Sequence, residues 1–349
     1  MRNSLLPPSP MSPRTLSLSL RIERWPLATL FHITGHVIDA ARVVSVTVDD
    51  GHHAGHGEAS GVFYLGETPE SIAAQIESVR ASIEAGVTRA QLLDILPPGG
   101  ARNAVDAALW ALESQQLAMP VWRIAGLCAP RPLRTTMTIG VDTPNAMAGA
   151  AQRLPHARAL KVKLDGGAAD AARLSAIREV HPEIPLAVDA NQGWSRAHFD
   201  AMIPVLQQLD VYMLEQPFAI GADACLEHID CPIPLAADES FQDLGDLSAV
   251  ARRYDIVNLK LDKCGGLTRA FDLAVRVRAA GLSVMVGCMA GTSLAIAPAF
   301  LLGQQCDHVD LDGPIFLARD REPGVAYIDG LLHCPPQVWD HAGAPAPSR

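Results

Sequence analysis

The chain has 349 residues, of which 49% are hydrophobic and 19% charged, with a formal net charge of −10. This length suits one large domain or two of ordinary size with a sizeable core. The negative charge argues against a nucleic-acid binder, and no apolar run is long enough to span a membrane.

The N-terminal part predicts a small α+β domain. Residues 1–14 are rich in Pro and Ser and predict a disordered tail, and the domain spans residues 15–130. "RVVSVTVDDG" predicts a strand that ends at an Asp-Gly turn, with a second strand at 17–24. Two helices follow, at 68–86 and 99–120, because Thr-Pro-Glu opens the first and a proline ends the second.

Residues 131–325 alternate short apolar strands with amphipathic helices. This pattern predicts an α/β fold, a modified (β/α)7β TIM-type barrel in which a final helix is not evident. Residues 326–349 predict a segment that returns to the N-terminal domain and has a loose end. The predicted strands are "TTMTIGV", "ALKVKLD", "PLAVDAN", "VYMLEQP", "IPLAADES", "IVNLKLD", "LSVMVGC" and "HVDLDG".

Charged residues mark the C-terminal ends of these strands. They are Lys163, Asp189, Glu215, Asp238, Lys260 and Asp310. The first five follow one another at intervals of 22–26 residues, and the last comes after 50, which is two such steps. One barrel repeat therefore separates neighbours, and all are expected at the rim where barrel enzymes place their catalytic groups.

Three of these residues, Asp189, Glu215 and Asp238, are carboxylates on consecutive strands. Three negative charges resist burial together unless a cation lies between them. An all-oxygen set without His or Cys favours Mg²⁺, with Mn²⁺ as a substitute. The alternative is that each is an ordinary acid or helix cap at the top of the barrel.

The lysines suggest proton transfer. Lys163 and Lys260 are predicted on opposite sides of the rim, so one could remove a proton from a substrate carbon and the other return one to the opposite face. Lys161 and the metal are expected to lower the lysine pKa, as a lysine base requires. The alternative for the "KVK" segment alone is a solvated pair at a strand end.

Taken together, these motifs resemble the enolase superfamily, in its muconate-lactonising branch, and most closely dipeptide epimerases of the L-Ala-D/L-Glu type. The resemblance spans residues 17–333 and implies Mg²⁺ at the three carboxylates and acid/base roles for Lys163 and Lys260. Thr138 and Lys161 match groups that contact the substrate carboxylate. The motifs are "ARNAVDAALWALE", "KVKLD", "VDANQGW", "LEQP", "ADES", "VNLKLDKCGGLT", "GCM" and "DLDGP".

Two further motifs bear on the substrate. Asp310 and Asp312 of "DLDG" match the pair that binds a dipeptide α-ammonium in these epimerases, although a strand-end turn is the plainer alternative. Cys288 and Met289 of "GCM" are expected to line the pocket. The Cys288 thiol is not expected to act as a nucleophile. "VMVGCMAGTS" lacks the histidine that members acting on acid sugars or mandelate carry after the seventh strand.

The N-terminal domain is expected to cap the barrel and select the side chain. In the Ala-Glu epimerases, arginines in these capping loops hold the glutamate carboxylate. The matching stretches here, 30–39 and 57–68, contain no arginine. Gly35, Ile38, Phe63 and Tyr64 are the predicted specificity residues. Since an acidic side chain would lose hydration without compensation, a non-acidic, apolar side chain is predicted.

Other signals are interpreted as structural. His52, His53 and His56 are expected in an exposed hairpin loop, and Lys263 as a helix-start or surface charge. Seven cysteines without a CxxC pair indicate free thiols in a reducing cytoplasm rather than disulfides or zinc. No nucleotide-binding glycine motif occurs.

The sequence thus predicts a Mg²⁺-dependent dipeptide epimerase that inverts the C-terminal α-carbon by two-lysine proton transfer. Its predicted partner is a small dipeptide, with neither nucleic acid nor membrane, and a homo-oligomer is allowed. The alternatives are an L-Ala-D/L-Glu epimerase proper, an o-succinylbenzoate synthase or muconate cycloisomerase, and a non-catalytic metal-dependent peptide-binding barrel.

Overall fold

A computed structural model describes residues 15–340, so the predicted tail at 1–14 and the predicted loose end at 341–349 lie outside the described residues. The described chain begins with a three-stranded antiparallel sheet. The strands are β1 (Ser17–Ile33), β2 (His36–Asp49) and β3 (Ala54–Ala59), in that order. Both predicted strands are present, but β1 and β2 extend into a long hairpin that reaches the barrel. Strand β3 was not predicted, because its sequence "AGHGEA" lacks the β-branched residues typical of strands.

Five helices follow this sheet in the chain. They are α1 (Pro69–Ser78), α2 (Arg80–Glu84), α3 (Arg89–Ile95), α4 (Gly100–Leu117) and α5 (Val121–Ile124). Thr68 caps α1 as predicted, but Val79 leaves the helical conformation (φ −115°, ψ 11°) and divides the predicted helix into α1 and α2. Helix α4 packs against β3 closely enough that a Cβ on Gly57 would lie 2.0 Å from the Ala104 carbonyl oxygen.

The barrel is an eight-stranded parallel sheet whose strands run in chain order. The Thr136 amide donates to the Val309 carbonyl (3.0 Å) and joins the first strand to the last. The strands are β5 (Met137–Ile139), β6 (Leu160–Lys163), β7 (Leu186–Asp189), β8 (Val211–Glu215), β9 (Leu235–Ala237), β10 (Ile256–Lys260), β11 (Ser283–Gly287) and β12 (His308–Asp310). A short strand, β4 (Leu133–Arg134), precedes them.

Helices cover the outside of the barrel. In the described part of the chain, β12 is followed by a 3-10 turn, Gly313–Phe316, and not by an α-helix. The predicted (β/α)7β barrel with a capping domain is therefore confirmed. Between β8 and β9 the connection is also a 3-10 turn, Asp223–His228. The helices are α6 (Pro144–Gln152), α7 (Asp170–Val180), α8 (Arg196–Gln208), α9 (Leu247–Val250), α10 (Leu261–Cys264), α11 (Leu267–Ala279) and α12 (Ser293–Gly303).

After the barrel, the chain contacts the capping domain again. Strands β13 (Ala326–Ile328) and β14 (Leu331–His333) form a small sheet with β4. The Trp339 indole then donates to the carbonyls of His56 (3.1 Å) and Ala107 (3.2 Å). Within residues 15–340, no helix has both the length and the apolarity needed to cross a membrane.

Candidate active site

Strand register brings the charged residues to one level of the barrel. Lys163 pairs with Asp189 across β6 and β7, and Asp189 pairs with Glu215 across β7 and β8. On the other side, Lys260 pairs with Gly287, which pairs with Asp310. Since β6 and β10 are four strands apart in a ring of eight, Lys163 and Lys260 stand on opposite sides of the mouth.

The three carboxylates are almost completely buried, with 0–1% exposure. Between them lies Lys161, whose ammonium contacts Asp189 Oδ2 at 3.0 Å and Glu215 Oε2 at 2.8 Å. Glu215 Oε2 has this ionic contact but no directed hydrogen bond, whereas Glu215 Oε1 accepts from the Asn258 amide at 2.9 Å. Lys161 is therefore a buried counter-ion of these carboxylates. The alternative interpretation, a solvated lysine pair at a strand end, is wrong for this residue.

Neighbouring charges separate the pKa values of these carboxyls. Burial alone would raise the pKa of Asp189, but Lys161 and Lys163 outweigh it and lower the value to about 2. Asp238 likewise has a lowered pKa, because Lys260 and Lys263 outweigh its burial. Burial and the Asp189 charge raise the pKa of Glu215 to about 7. The lysines thus compensate the negative charge incompletely at Glu215.

The two rim lysines each bond to one of these carboxylates. Lys163 Nζ donates to Asp189 Oδ2 (2.6 Å), and Lys260 Nζ donates to Asp238 Oδ2 (2.7 Å). Burial would lower the pKa of Lys260, but Asp238 raises it above the ordinary value. Lys161 lowers the pKa of Lys260 as expected, but Asp238 has the larger effect, and the further lowering expected from a bound metal ion stays a prediction.

Lys263 is not a surface charge. It lies in α10, as a helix-start residue should, but it is 2% exposed and its Nζ donates to Asp238 Oδ1 at 2.7 Å. It also donates to the carbonyls of Asp238 (2.5 Å) and Asn258 (2.9 Å). The three-residue spacing from Lys260, close to one helical turn, was the signal that could have indicated this orientation.

The donor chemistry fits a hard divalent cation. Asp189, Glu215 and Asp238 offer only oxygen ligands, and the incompletely compensated charge of Glu215 favours an added cation. Among residues 15–340, no three acidic, His or Cys side chains already form a closed ligand cluster. Lysine ammonium groups lie against the carboxylates instead, so a metal ion would replace some of these ion pairs.

A second acidic pair lies at the end of β12. Asp310 accepts from Lys161 Nζ (2.8 Å) and Thr136 Oγ1 (2.5 Å), and Asp312 Oδ2 accepts from the Thr138 amide (2.6 Å). Burial and the Asp310 charge raise the pKa of Asp312 to about 7, so a cationic ligand would be favoured here. This pair faces the same pocket as Thr138.

The pocket also contains the "GCM" residues. Cys288 and Met289 both line it. Burial and Asp312 raise the pKa of the Cys288 thiol to about 12, so it is a neutral lining group at physiological pH. Two polar residues that were not predicted, Asn191 and Glu239, line the pocket as well, one or two positions after metal-ligand candidates in motifs already identified.

Capping-domain side chains form the apolar roof of this pocket. Ile38, Phe63 and Tyr64 line it, whereas Gly35 is exposed and outside the lining. Phe31 and Ile33 also contribute, and their period-two spacing on β1 could have indicated a shared face. The Tyr64 hydroxyl accepts from Gln242 Nε2 at 3.2 Å, which ties this roof to the barrel.

The remaining sequence signals lie away from the pocket. His52 is exposed in the turn after β2, but His56 is part of β3, half-buried, and within 3.0 Å of Thr47 Oγ1. The expected loop therefore holds for His52 and is wrong for His56. All seven cysteines are free thiols.

Comparison with known proteins identifies the family. Residues 145–336 match the family model described as enolase C-terminal domain-like, and residues 16–126 match that of the mandelate racemase / muconate lactonizing enzyme N-terminal domain. Together these matches cover the capping sheet and the barrel strands from β6 to β12.

Among curated relatives, the L-Ala-D/L-Glu epimerase of Escherichia coli (strain K12) is 43% identical over 89% of this chain and 97% of its own length. An N-acetyl-D-glutamate racemase from Pseudoalteromonas sp is 38% identical over 75% of this chain and 84% of its own. A hydrophobic dipeptide epimerase of Roseobacter litoralis is 33% identical, over 88% and 92% respectively.

Solved structures agree with the fold and the family. An enolase family member from Agrobacterium tumefaciens with L-Ala-L-Glu bound superimposes with a TM-score of 0.90 at 37% identity, covering 93% of this chain and 99% of that one. A Methylococcus capsulatus dipeptide epimerase complexed with Mg and L-Arg-D-Lys has a TM-score of 0.84 at 32% identity, covering 91% and 96%. The chain therefore belongs to the muconate-lactonising branch of the enolase superfamily, with the dipeptide epimerases, and is an isomerase of the racemase and epimerase class.

Proposed function

We propose that the protein is a Mg²⁺-dependent epimerase of dipeptides whose C-terminal side chain is apolar. The observation that carries the side-chain preference is the roof of the pocket, built from Phe31, Ile33, Ile38 and Phe63. Among the described residues that line the pocket, the cations are Lys161, Lys163 and Lys260, and all three bond to carboxylates. A substrate carboxylate side chain would find no arginine there and would lose its hydration without compensation.

The two rim lysines supply the acid and the base. With the substrate α-carbon between them, Lys163 and Lys260 reach it from opposite faces. One takes the α-proton and the other returns a proton to the opposite face, which inverts the configuration. Each ammonium bonds to a carboxylate, so each must leave Asp189 or Asp238 to reach the substrate. The lysine that acts as the base must also lose a proton first, whereas the one that acts as the acid stays protonated.

Asp189, Glu215 and Asp238 would hold the Mg²⁺ ion. When bound, the ion supplies positive charge that stabilises the enediolate form of the substrate carboxylate. Lys161 and Thr138 lie beside this carboxylate position and help to orient it. Asp310 and Asp312 bind the α-ammonium through charge-assisted hydrogen bonds. The seven free thiols are consistent with a reducing cytoplasm, where we place the enzyme.

The same observations weigh against the rival functions. The o-succinylbenzoate synthase and muconate cycloisomerase substrates have no ammonium group, and N-acylated amino acids have none either, so the acidic pair would gain no cationic ligand from them. A non-catalytic binder needs no lysine on each side of the pocket. An Ala-Glu epimerase is disfavoured by the apolar roof, although relatives with that activity share more of the sequence.

The test is a mass-spectrometric screen in D₂O with Mg²⁺. The pools are L-Ala-L-Xaa dipeptides, L-Ala-L-Glu, and N-acetyl amino acids, each with wild type, Lys163→Ala and Lys260→Ala. We expect deuterium at the C-terminal α-carbon of Leu, Phe or Met dipeptides above L-Ala-L-Glu, and loss of epimerisation in both variants.

Exchange confined to L-Ala-L-Glu would replace the apolar preference with the Ala-Glu activity. Exchange only in N-acetyl amino acids would reject a dipeptide substrate. If no compound incorporated deuterium while Mg²⁺ and dipeptides still bound, the protein would be the non-catalytic binder.

A further inference from the structure

Two carboxylates accept hydrogen bonds from the first backbone amides of the loop between β3 and α1. We name residues 60–67 the 60s lid, because it carries Phe63 and Tyr64 into the pocket. At its start, Asp262 Oδ1 accepts from the amides of Ser60 (3.0 Å) and Gly61 (2.8 Å). Farther along, Glu67 Oε2 accepts from the Val62 amide (2.8 Å). Only the first of these carboxylates comes from the barrel.

Asp262 occupies a particular place in the catalytic rim. It lies two residues after Lys260, in the short helix α10, and is 6% exposed. Successive residues of a helix point about 100° apart, so neighbours face different partners. Lys260 and Lys263 both reach Asp238 in the barrel, whereas Asp262 faces the capping domain.

The hydrogen bonds from the lid amides to Asp262 are strong because their acceptor is ionised. Burial raises the pKa of Asp262 to about 6, with the Gly61 amide opposing it, so the group is a carboxylate at neutral pH. An ionised acceptor forms hydrogen bonds about twice as strong as those of a neutral one. A buried amide that lost this acceptor would remain unsatisfied, which the lid could avoid only by moving.

We propose that Asp262 is a positioning residue that locks the 60s lid to the strand carrying Lys260. The apolar roof and one of the two proton-transfer groups then keep a fixed relative geometry, and a large side chain is held while its α-carbon reacts. This inference rests on the proposed function and deepens it, because it assigns a barrel residue to side-chain selection in the cap.

The test compares Asp262→Ala with Asp262→Asn, which keeps an acceptor oxygen, and with Glu70→Gln. Glu70 lies just beyond the lid in an exposed ion pair with Arg42, so it serves as the matched control. Hydrogen–deuterium exchange of a peptide covering the lid is measured first, because it does not depend on activity. We expect faster exchange there in Asp262→Ala, with barrel peptides unchanged.

The second measurement is kcat/KM for L-Ala-L-Leu and L-Ala-L-Ala, the latter offering little side chain to the lid. Asp262→Ala should lower the Leu-to-Ala ratio about tenfold, mainly through KM, and Asp262→Asn should retain it within about threefold. Glu70→Gln should change neither readout.

Each outcome decides one question. An Asp262→Ala protein with unchanged lid exchange, or with an unchanged Leu-to-Ala ratio, overturns the positioning role. Equal loss on both dipeptides also overturns it, because damage to Lys260 alone explains that result. Wild-type protein inactive on every dipeptide rejects the proposed function instead, and the lid exchange then still tests the Asp262 contact.

Discussion

Asp238 has a separate lysine on each carboxylate oxygen. Lys260 bonds to Oδ2 and Lys263 to Oδ1. The first must release the carboxylate to act on substrate, whereas the second has three acceptors in the protein and faces no substrate. Lys263 therefore orients Asp238, and its loss would leave a buried charge and two carbonyls with fewer partners.

We predict that Lys263→Met lowers the free energy of unfolding by about 3–5 kcal/mol, the usual cost of breaking a buried ion pair. In a double-mutant cycle with Asp238→Asn, measured by urea unfolding in EDTA, the two effects should fall short of additivity by at least about 1 kcal/mol. The matched cycle is Arg196→Met with Asp200→Asn, an exposed pair expected to show far smaller coupling. Equal coupling in the two cycles would contradict the role of Lys263.

At the scale of elements, the β1–β2 hairpin forms part of the roof over the barrel mouth. Thr34 at its tip donates to the carbonyls of Leu164 (3.1 Å) or Ala190 (3.3 Å), at the ends of β6 and β7. This contact places Ile38 at the pocket. A cation introduced at that position would therefore meet the substrate side chain.

We predict that Ile38→Arg raises kcat/KM for L-Ala-L-Glu by about tenfold or more, because a charge-assisted pair contributes about 1.5–3 kcal/mol. Activity on L-Ala-L-Leu should fall at the same time. Gly35→Arg is the control, since Gly35 is exposed and outside the lining. Steady-state kinetics on both dipeptides provide the test, and an Ile38→Arg enzyme with an unchanged Glu-to-Leu ratio would refute the apolar-roof argument.

The contact of β3 with α4 depends on glycine. A Cβ on Gly57 would lie 2.0 Å from the Ala104 carbonyl oxygen and 2.8 Å from the Ala108 nitrogen, both backbone atoms that cannot move aside. We predict that Gly57→Ala lowers the free energy of unfolding by at least about 2 kcal/mol. Gly245→Ala, where nothing lies within 4 Å, should change it by less than about 0.5 kcal/mol. Urea unfolding of the two variants measures this, and similar midpoints would show that the sheet and helix can separate at no cost.

Local sequence patterns predicted the repeating strands of the barrel. They missed the features that depend on contacts between distant parts of the chain. The barrel strands and the rim residues could be predicted from the sequence because every strand ends at the same rim. A regular spacing along the chain therefore places these residues at one level of the barrel. Strand β3 has no such pattern, since its glycines are required by the close approach of helix α4. The Asp262 contact with Ser60 joins residues 202 positions apart, which no local signal reports.

For the whole molecule, a buried ionic cluster joins the cap to the barrel. Glu58 of β3 accepts from the amide (2.7 Å) and hydroxyl (2.6 Å) of Thr292, which caps α12. Arg321 contacts both Glu58 (2.7 Å) and Glu23 of β1 (2.6 Å). One guanidinium thus holds two strands of the capping sheet against a barrel helix.

This cluster gives the stability a defined pH dependence. Burial raises the pKa of Glu58, and Arg321 opposes that rise. Without Arg321 the folded-state pKa would rise further, so the ionised carboxylate destabilises the fold above that pKa. The penalty disappears as the pH falls towards the ordinary value, because both folded and unfolded states are then protonated.

We therefore predict that Arg321→Met destabilises the protein by about 3 kcal/mol at pH 8 and by clearly less at pH 5. Part of the loss will not depend on pH, because Arg321 also stacks over the Trp25 ring at 4.9 Å. Urea unfolding at the two pH values measures the difference, with Arg276→Met, from an exposed pair with Asp272, as the control expected to stay below about 1 kcal/mol at both. If Arg321→Met destabilised the protein equally at pH 5 and pH 8, Glu58 would not carry its charge in the folded protein. Packing, and not the ion pair, would then join the cap to the barrel.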